Sequence, residues 1–76
     1  MDKAQRAINL LMDDFFIEEI TKLKNGYTDQ IINSSLDDYD VRESAYRNIK
    51  AIEAVMAHFQ SIADNKLVEK KRWKIL

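Results

Sequence analysis

The chain contains no cysteine and no proline, and only one glycine, one histidine and one tryptophan. The absence of cysteine excludes disulfides, thiolate zinc sites and thiol nucleophiles together. One histidine leaves a single candidate base for Ser–His–Asp chemistry and excludes a His-rich metal site. One glycine leaves no Gly-rich phosphate loop. No apolar run approaches the roughly 20 residues of a membrane span, and the N-terminus lacks a secretory h-region, so neither a membrane span nor secretion is expected. Charge of one sign is also missing: 12 basic and 13 acidic side chains give a formal net of −1.

What is present is helical. Of the 76 residues 46% are hydrophobic and 33% charged, the balance of a folded chain rather than a disordered one. No segment alternates with period two, and apolar residues recur at helical spacings throughout. One domain of this size buries only about 60% of the surface its unfolded chain exposes, which makes a lone monomer marginal.

Three segments carry the helical signal. From Asp2 to about Met12, Ala4, Ala7, Ile8, Leu11 and Met12 share one side, with Asp2 as N-cap. A helix this short must dock on something. Asp13 or Asp14 is then either a new helix start or the middle of one bent helix. From about residue 14 to 34, Phe16, Ile20, Leu23, Tyr27 and Ile31 form an amphipathic stripe. Gly26 interrupts it, at about 1 kcal/mol relative to Ala. It is either tolerated there or marks a close helix approach or a break after Asn25.

Residues 33–38 (NSSLDD) read as a loop. Asp40 with Glu43 resembles a capping box, so the third helix is predicted from Val41 to about Asn65. Its stripe is Val41, Ala45, Ile49, Ile52, Met56, Phe59 and Ala63, widened by Val55 and Ile62. Two helices of this length joined by a short loop predict an antiparallel hairpin. The expected fold is all-α: a helical hairpin domain over 1–65 with a short N-terminal helix, and a basic, aromatic C-terminal tail over 66–76.

That division coincides with a charge shift. Residues 1–65 carry 7 basic and 12 acidic side chains, a net of −5, whereas residues 66–76 carry 5 and 1, a net of +4. Lys70, Lys71, Arg72 and Lys74 surround Trp73, and Ile75 and Leu76 follow. Such a cluster can attract phosphate or an anionic membrane surface. Four charges are few, and an acidic body repels both. The tail is read as a protein-docking element anchored by Trp73, Ile75 and Leu76, with an ordinary helix end as the plain alternative.

Other clusters resolve into structural roles. Asp37, Asp38 and Asp40 do not make an EF-hand, because positions six and twelve hold Glu43 and Ile49 counted from Asp38, or Arg42 and Asn48 counted from Asp37. Asp13, Asp14, Glu18 and Glu19 lack the Glu-x-x-His partner of di-iron bundles, since Val55 stands three before His58. Glu18 is expected to pair with Lys22. His58 is expected at the boundary of the apolar stripe, with no nucleophile beside it. Arg42, Arg47 and Lys50 are expected to pair with the Asp37–Asp40 run, with Glu43 and Glu53, or with another subunit's acids. A helix-turn-helix is disfavoured by the long loop and interleaved charge. No catalytic residue, cofactor site or metal site is expected.

Apolar residues on two faces are the main physical signal for association. Phe15 and Phe16 point about 100° apart on a helix, as do Ile31 and Ile32. One narrow seam cannot cover both directions, so Phe15, Ile17, Tyr27 and Ile32, with the tail from Lys70 to Leu76, are the candidate partner-binding residues.

The order A-x-x-L-L-x-D-x-x-F (Ala7, Leu10, Leu11, Asp13, Phe16), an I-x-x-S stretch before the acidic loop (Ile32, Ser35), and R-E-x-A-Y (Arg42 to Tyr46) resemble small helical proteins encoded among the head and packaging genes of tailed bacteriophages. The resemblance spans nearly the whole chain and carries over no catalytic residue. It implies a non-enzymatic virion structural or assembly protein, located in the virion or the host cytoplasm, whose partner is itself or a larger virion component. The alternatives are a small nucleic-acid-binding packaging adaptor or regulator using the basic tail, and a host-directed inhibitor with an acidic helical body.

Overall fold

The computed structural model describes the backbone of residues 2–75 and the side chains of residues 2–65. It is all-α, with 86% of residues in three helices: α1 (Lys3–Leu11), α2 (Asp14–Ile32) and α3 (Tyr39–Ile75). Each start has a local cause. Asp2 caps α1 by accepting from the Gln5 N–H at 2.6 Å, and Asp13 caps α2 by accepting from the Phe16 N–H at 2.8 Å. The ambiguity at Asp13 and Asp14 is thereby resolved: α1 and α2 are separate helices, broken at Met12 and Asp13.

The third helix starts two residues before its expected position. Asp38, not Asp40, precedes it, and the Asp38 carbonyl accepts from the Arg42 N–H at 3.2 Å. The Asp38 carboxylate reaches back to the Ser35 N–H at 3.0 Å. The capping box expected from Asp40 and Glu43 does not form, because Asp40 already lies in the first turn. There its charge complements the positive end of the helix. At the other end the α3 backbone continues to Ile75, past the expected stop near Asn65.

Both α1 and α2 pack on α3 and make little contact with each other. They run end to end along α3, which makes a hairpin whose first arm is broken. The extents are 58 × 25 × 16 Å. No helix among the described residues is long and apolar enough to cross a membrane.

The seam on α3 is a heptad line. Ala45 and Ala63 are buried, and Arg42, Ile49, Ile52, Met56 and Phe59 are half-buried, at alternating steps of three and four. Its first member is Arg42 rather than Val41, which is 43% exposed. On α2 the same alternation selects Ile17, Ile20, Lys24, Tyr27 and Ile31. Lys24 thus takes the position expected of Leu23, which is 48% exposed. A lysine can hold it because its aliphatic stem lies along apolar surface while the ammonium reaches water.

Gly26 neither breaks α2 nor admits a helix of the same chain: a Cβ built on it meets nothing within 4 Å. The exposed ion pairs are local. Lys22 pairs with Glu19 at 3.5 Å instead of with Glu18, Arg47 with Glu43 at 3.0 Å, and Lys50 with Glu53 at 3.5 Å. Such pairs contribute about 0.3–0.5 kcal/mol each.

Candidate protein-association surface

The interior of the hairpin is made of alanine. Among the described residues the fully buried side chains are Ala7, Ala45 and Ala63, at 4%, 1% and 2% exposure, and no large side chain joins them. Small residues let helix backbones approach closely. With α1 and α2 alone packed on α3, the longer side chains on the seam stay only half-buried. Burying a Leu, Ile or Phe fully contributes about 1.5–3 kcal/mol, and this chain collects only part of that at each position.

The unburied apolar groups are large. Leu36, Met12, Phe15, Ile32 and Tyr39 are all about 70–90% exposed, and Tyr46, Val55, Leu23 and Val41 about half. Of the residues expected to bind a partner, Phe15 and Ile32 are free on the surface. Ile17 and Tyr27 are half-buried on the seam side of α2, so they serve the fold first. The side chains of Lys70, Lys71, Arg72, Trp73, Lys74, Ile75 and Leu76 lie outside the described residues.

The best-defined local geometry is at the α2–α3 loop. Arg42, held half-buried at the end of the seam, donates from one guanidinium nitrogen to the Ser34 hydroxyl at 3.0 Å and to the Ser35 carbonyl, and from the other to the Leu36 carbonyl at 3.0 Å. Its guanidinium also lies 5.1 Å from the Tyr39 ring centre. The expectation that Arg42 pairs with the acidic run is corrected in kind. It reads the loop through carbonyls and a hydroxyl, for which its planar fork is suited. Arg47 and Lys50 do not reach the loop; they pair along α3 with Glu43 and Glu53, as the sequence also allowed.

The same loop perturbs one carboxyl. Asp38 is held below the ordinary aspartate range by the Ser35 N–H, then by the Ser35 hydroxyl, with the Arg42 charge adding to these and slight desolvation opposing. The result is a hydrogen-bonded turn that presents Leu36, 88% exposed, just before Asp37 and Asp38.

At the opposite end, α1 and α3 leave an open groove of about 370 Å³. Ala7, Leu10, Phe59 and Ile62 form its apolar walls, with Lys3 and Arg6 on the rim. A second, shallower groove of about 240 Å³ lies along α2 beside Leu23, Gly26 and Tyr27, where the missing Cβ leaves a notch. His58 is exposed and touches the edge of Phe59, with ring centres 5.7 Å apart. Neither groove gathers a nucleophile and a base, so their chemistry is that of apolar contact with charged rims.

Leu36 is a surface residue that sequence reasoning missed, and Met12, Leu23, Val41 and Val55, expected on helix stripes, are exposed. For Leu36 a signal existed, since an apolar residue in an otherwise polar loop has no seam to join. No protein-family model matches the chain, and no curated protein or solved structure matches it.

Proposed function

We propose that this chain is a non-enzymatic helical association module that works by self-association and by docking of its C-terminal tail, from Lys70 to Leu76, on a larger partner. The observation that carries the reading is the contrast, among the described residues, between an interior of three buried alanines and nine large apolar side chains left on the surface. A radius of gyration of 17.0 Å points the same way, since a compact chain of this length has about 11 Å. The resemblance to bacteriophage head and packaging proteins is the reason for assigning the larger partner to a virion.

Solution mass by light scattering after size-exclusion chromatography, at low and high salt, tests the reading. A discrete multimer that persists in high salt is expected, because apolar contacts are not screened. A stable monomer at high protein concentration, melting cooperatively, overturns self-association. For the tail, deletion of residues 70–76 is expected to abolish binding to the larger partner with helicity retained, and unchanged affinity overturns the docking role.

A further inference from the structure

The two best-formed surface features of the protomer are complementary and cannot meet within one chain. The loop offers one protruding apolar side chain, Leu36, flanked by Asp37, Asp38 and Asp40. The groove offers an apolar floor rimmed by Lys3 and Arg6. Neither cation has an ion-pair partner among the described residues. The loop adjoins the start of α3 at Tyr39, whereas the groove lies against Phe59 and Ile62. Twenty residues of helix separate them by about 30 Å.

Resting on the self-association reading, we infer that a second copy of this chain docks antiparallel on the first and seats its Leu36 in the groove of Leu10, Phe59 and Ile62. Two-fold symmetry makes the contact reciprocal: each loop fills the partner's groove, and each acidic turn faces the partner's Lys3 and Arg6. Between these end contacts the helices meet along one line of α3. Val41, Val55 and Ile62 fall on a seven-residue repeat, so the line that reaches the groove through Ile62 also carries two half-exposed valines.

Area supports this occupant. The chain exposes 6299 Å². A compact monomer of 8.9 kDa exposes about 4,800 Å². That excess, about 1,500 Å² on one chain, is more than the about 800 Å² that each partner contributes to a standard interface. The pairing also sets two hairpins against each other, a four-helix arrangement in which half-buried seam residues gain cover. Charge complementarity sets the direction, because a parallel pair would bring the acidic turns together.

The native chain has no cysteine, so engineered thiols report the geometry cleanly. Leu36→Cys chains mixed with Arg6→Cys chains, then mildly oxidised, are expected to give the mixed cross-link as the main product. In sedimentation equilibrium, Leu36→Ser is expected to weaken the dimer about 100-fold or more, because symmetry counts the lost contact twice. Leu36 lies outside the helices and is exposed, so circular dichroism of that variant should match the native chain. A dimer that cross-links Leu36→Cys chains to each other, or forms no mixed cross-link, overturns the antiparallel docking and leaves self-association standing. A native chain that sediments as a monomer overturns both.

Discussion

The guanidinium of Arg42 donates to the carbonyl of Leu36 at 3.0 Å, while the Leu36 side chain is 88% exposed. One residue therefore holds the backbone of the other in place and leaves its apolar group in water. Arg42 supplies at least three of the loop's hydrogen bonds, two of them to backbone carbonyls. Arg42→Ala is expected to destabilise the protomer by about 1–2 kcal/mol in urea denaturation. Amide exchange at residues 35–38 should accelerate more than at the centre of α2. Arg42→Lys should recover little of this, since an ammonium lacks the planar fork that reaches the Ser35 and Leu36 carbonyls from two nitrogens.

Asp38 makes the loop sensitive to acid. Its folded carboxyl titrates below the ordinary aspartate value, so the stability it contributes is fully present above about pH 4, near the unfolded pKa. That contribution is lost as pH falls through the lowered folded value. Thermal melts of the native chain and Asp38→Asn are expected to differ by a constant amount above pH 5 and to converge towards pH 3. Curves that stay parallel to pH 3 would remove Asp38 from the loop's energetics.

Gly26 is a stability defect in the isolated protomer. A Cβ there meets nothing within 4 Å, and the backbone is ordinary helix. Gly26→Ala is therefore expected to stabilise by about 0.5–1 kcal/mol, a rise in Tm of several degrees, at concentrations where the protein is monomeric. A fall in Tm would mean that another chain approaches this notch.

The break between α1 and α2 rests on the carboxylate of Asp13. Asp13→Ala removes the acceptor of the Phe16 N–H and should cost about 1 kcal/mol. Chemical denaturation against the native chain measures it. An unchanged midpoint would show that the junction is held by packing of α1 on α3 alone.

The seam and the surface should respond oppositely to size. Ala45 is 1% exposed, and Ala45→Leu should force α2 from α3 and cost about 1–3 kcal/mol. Val55 is 51% exposed, and Val55→Ala should change protomer stability by less than about 0.5 kcal/mol while weakening association. Melts at low and high protein concentration separate the two effects.

Much of this molecule is determined by the amino-acid sequence locally. Helical periodicity, the cap at Asp2 and the polar loop at 33–38 specify the helical segments and their order, because each depends on neighbours within one or two turns; the break at Asp13, open in the sequence between a new start and a bend, was decided by the structure. The heptad line from Ala45 to Ala63 is legible for the same reason. Tertiary structure decided what local patterns leave degenerate. Leu23 and Lys24 differ by 100° around α2, and only the rotation of α2 against α3 puts the lysine on the seam. Val41 yields to Arg42 because the seam ends at a loop whose carbonyls need donors, and a guanidinium supplies them. The α3 start moved from Asp40 to Asp38 once the Ser35 N–H claimed the Asp38 carboxylate. The sequence alone also could not show that nothing larger than alanine is fully buried among the described residues, because hydrophobic periodicity records a side chain's direction without recording what covers it.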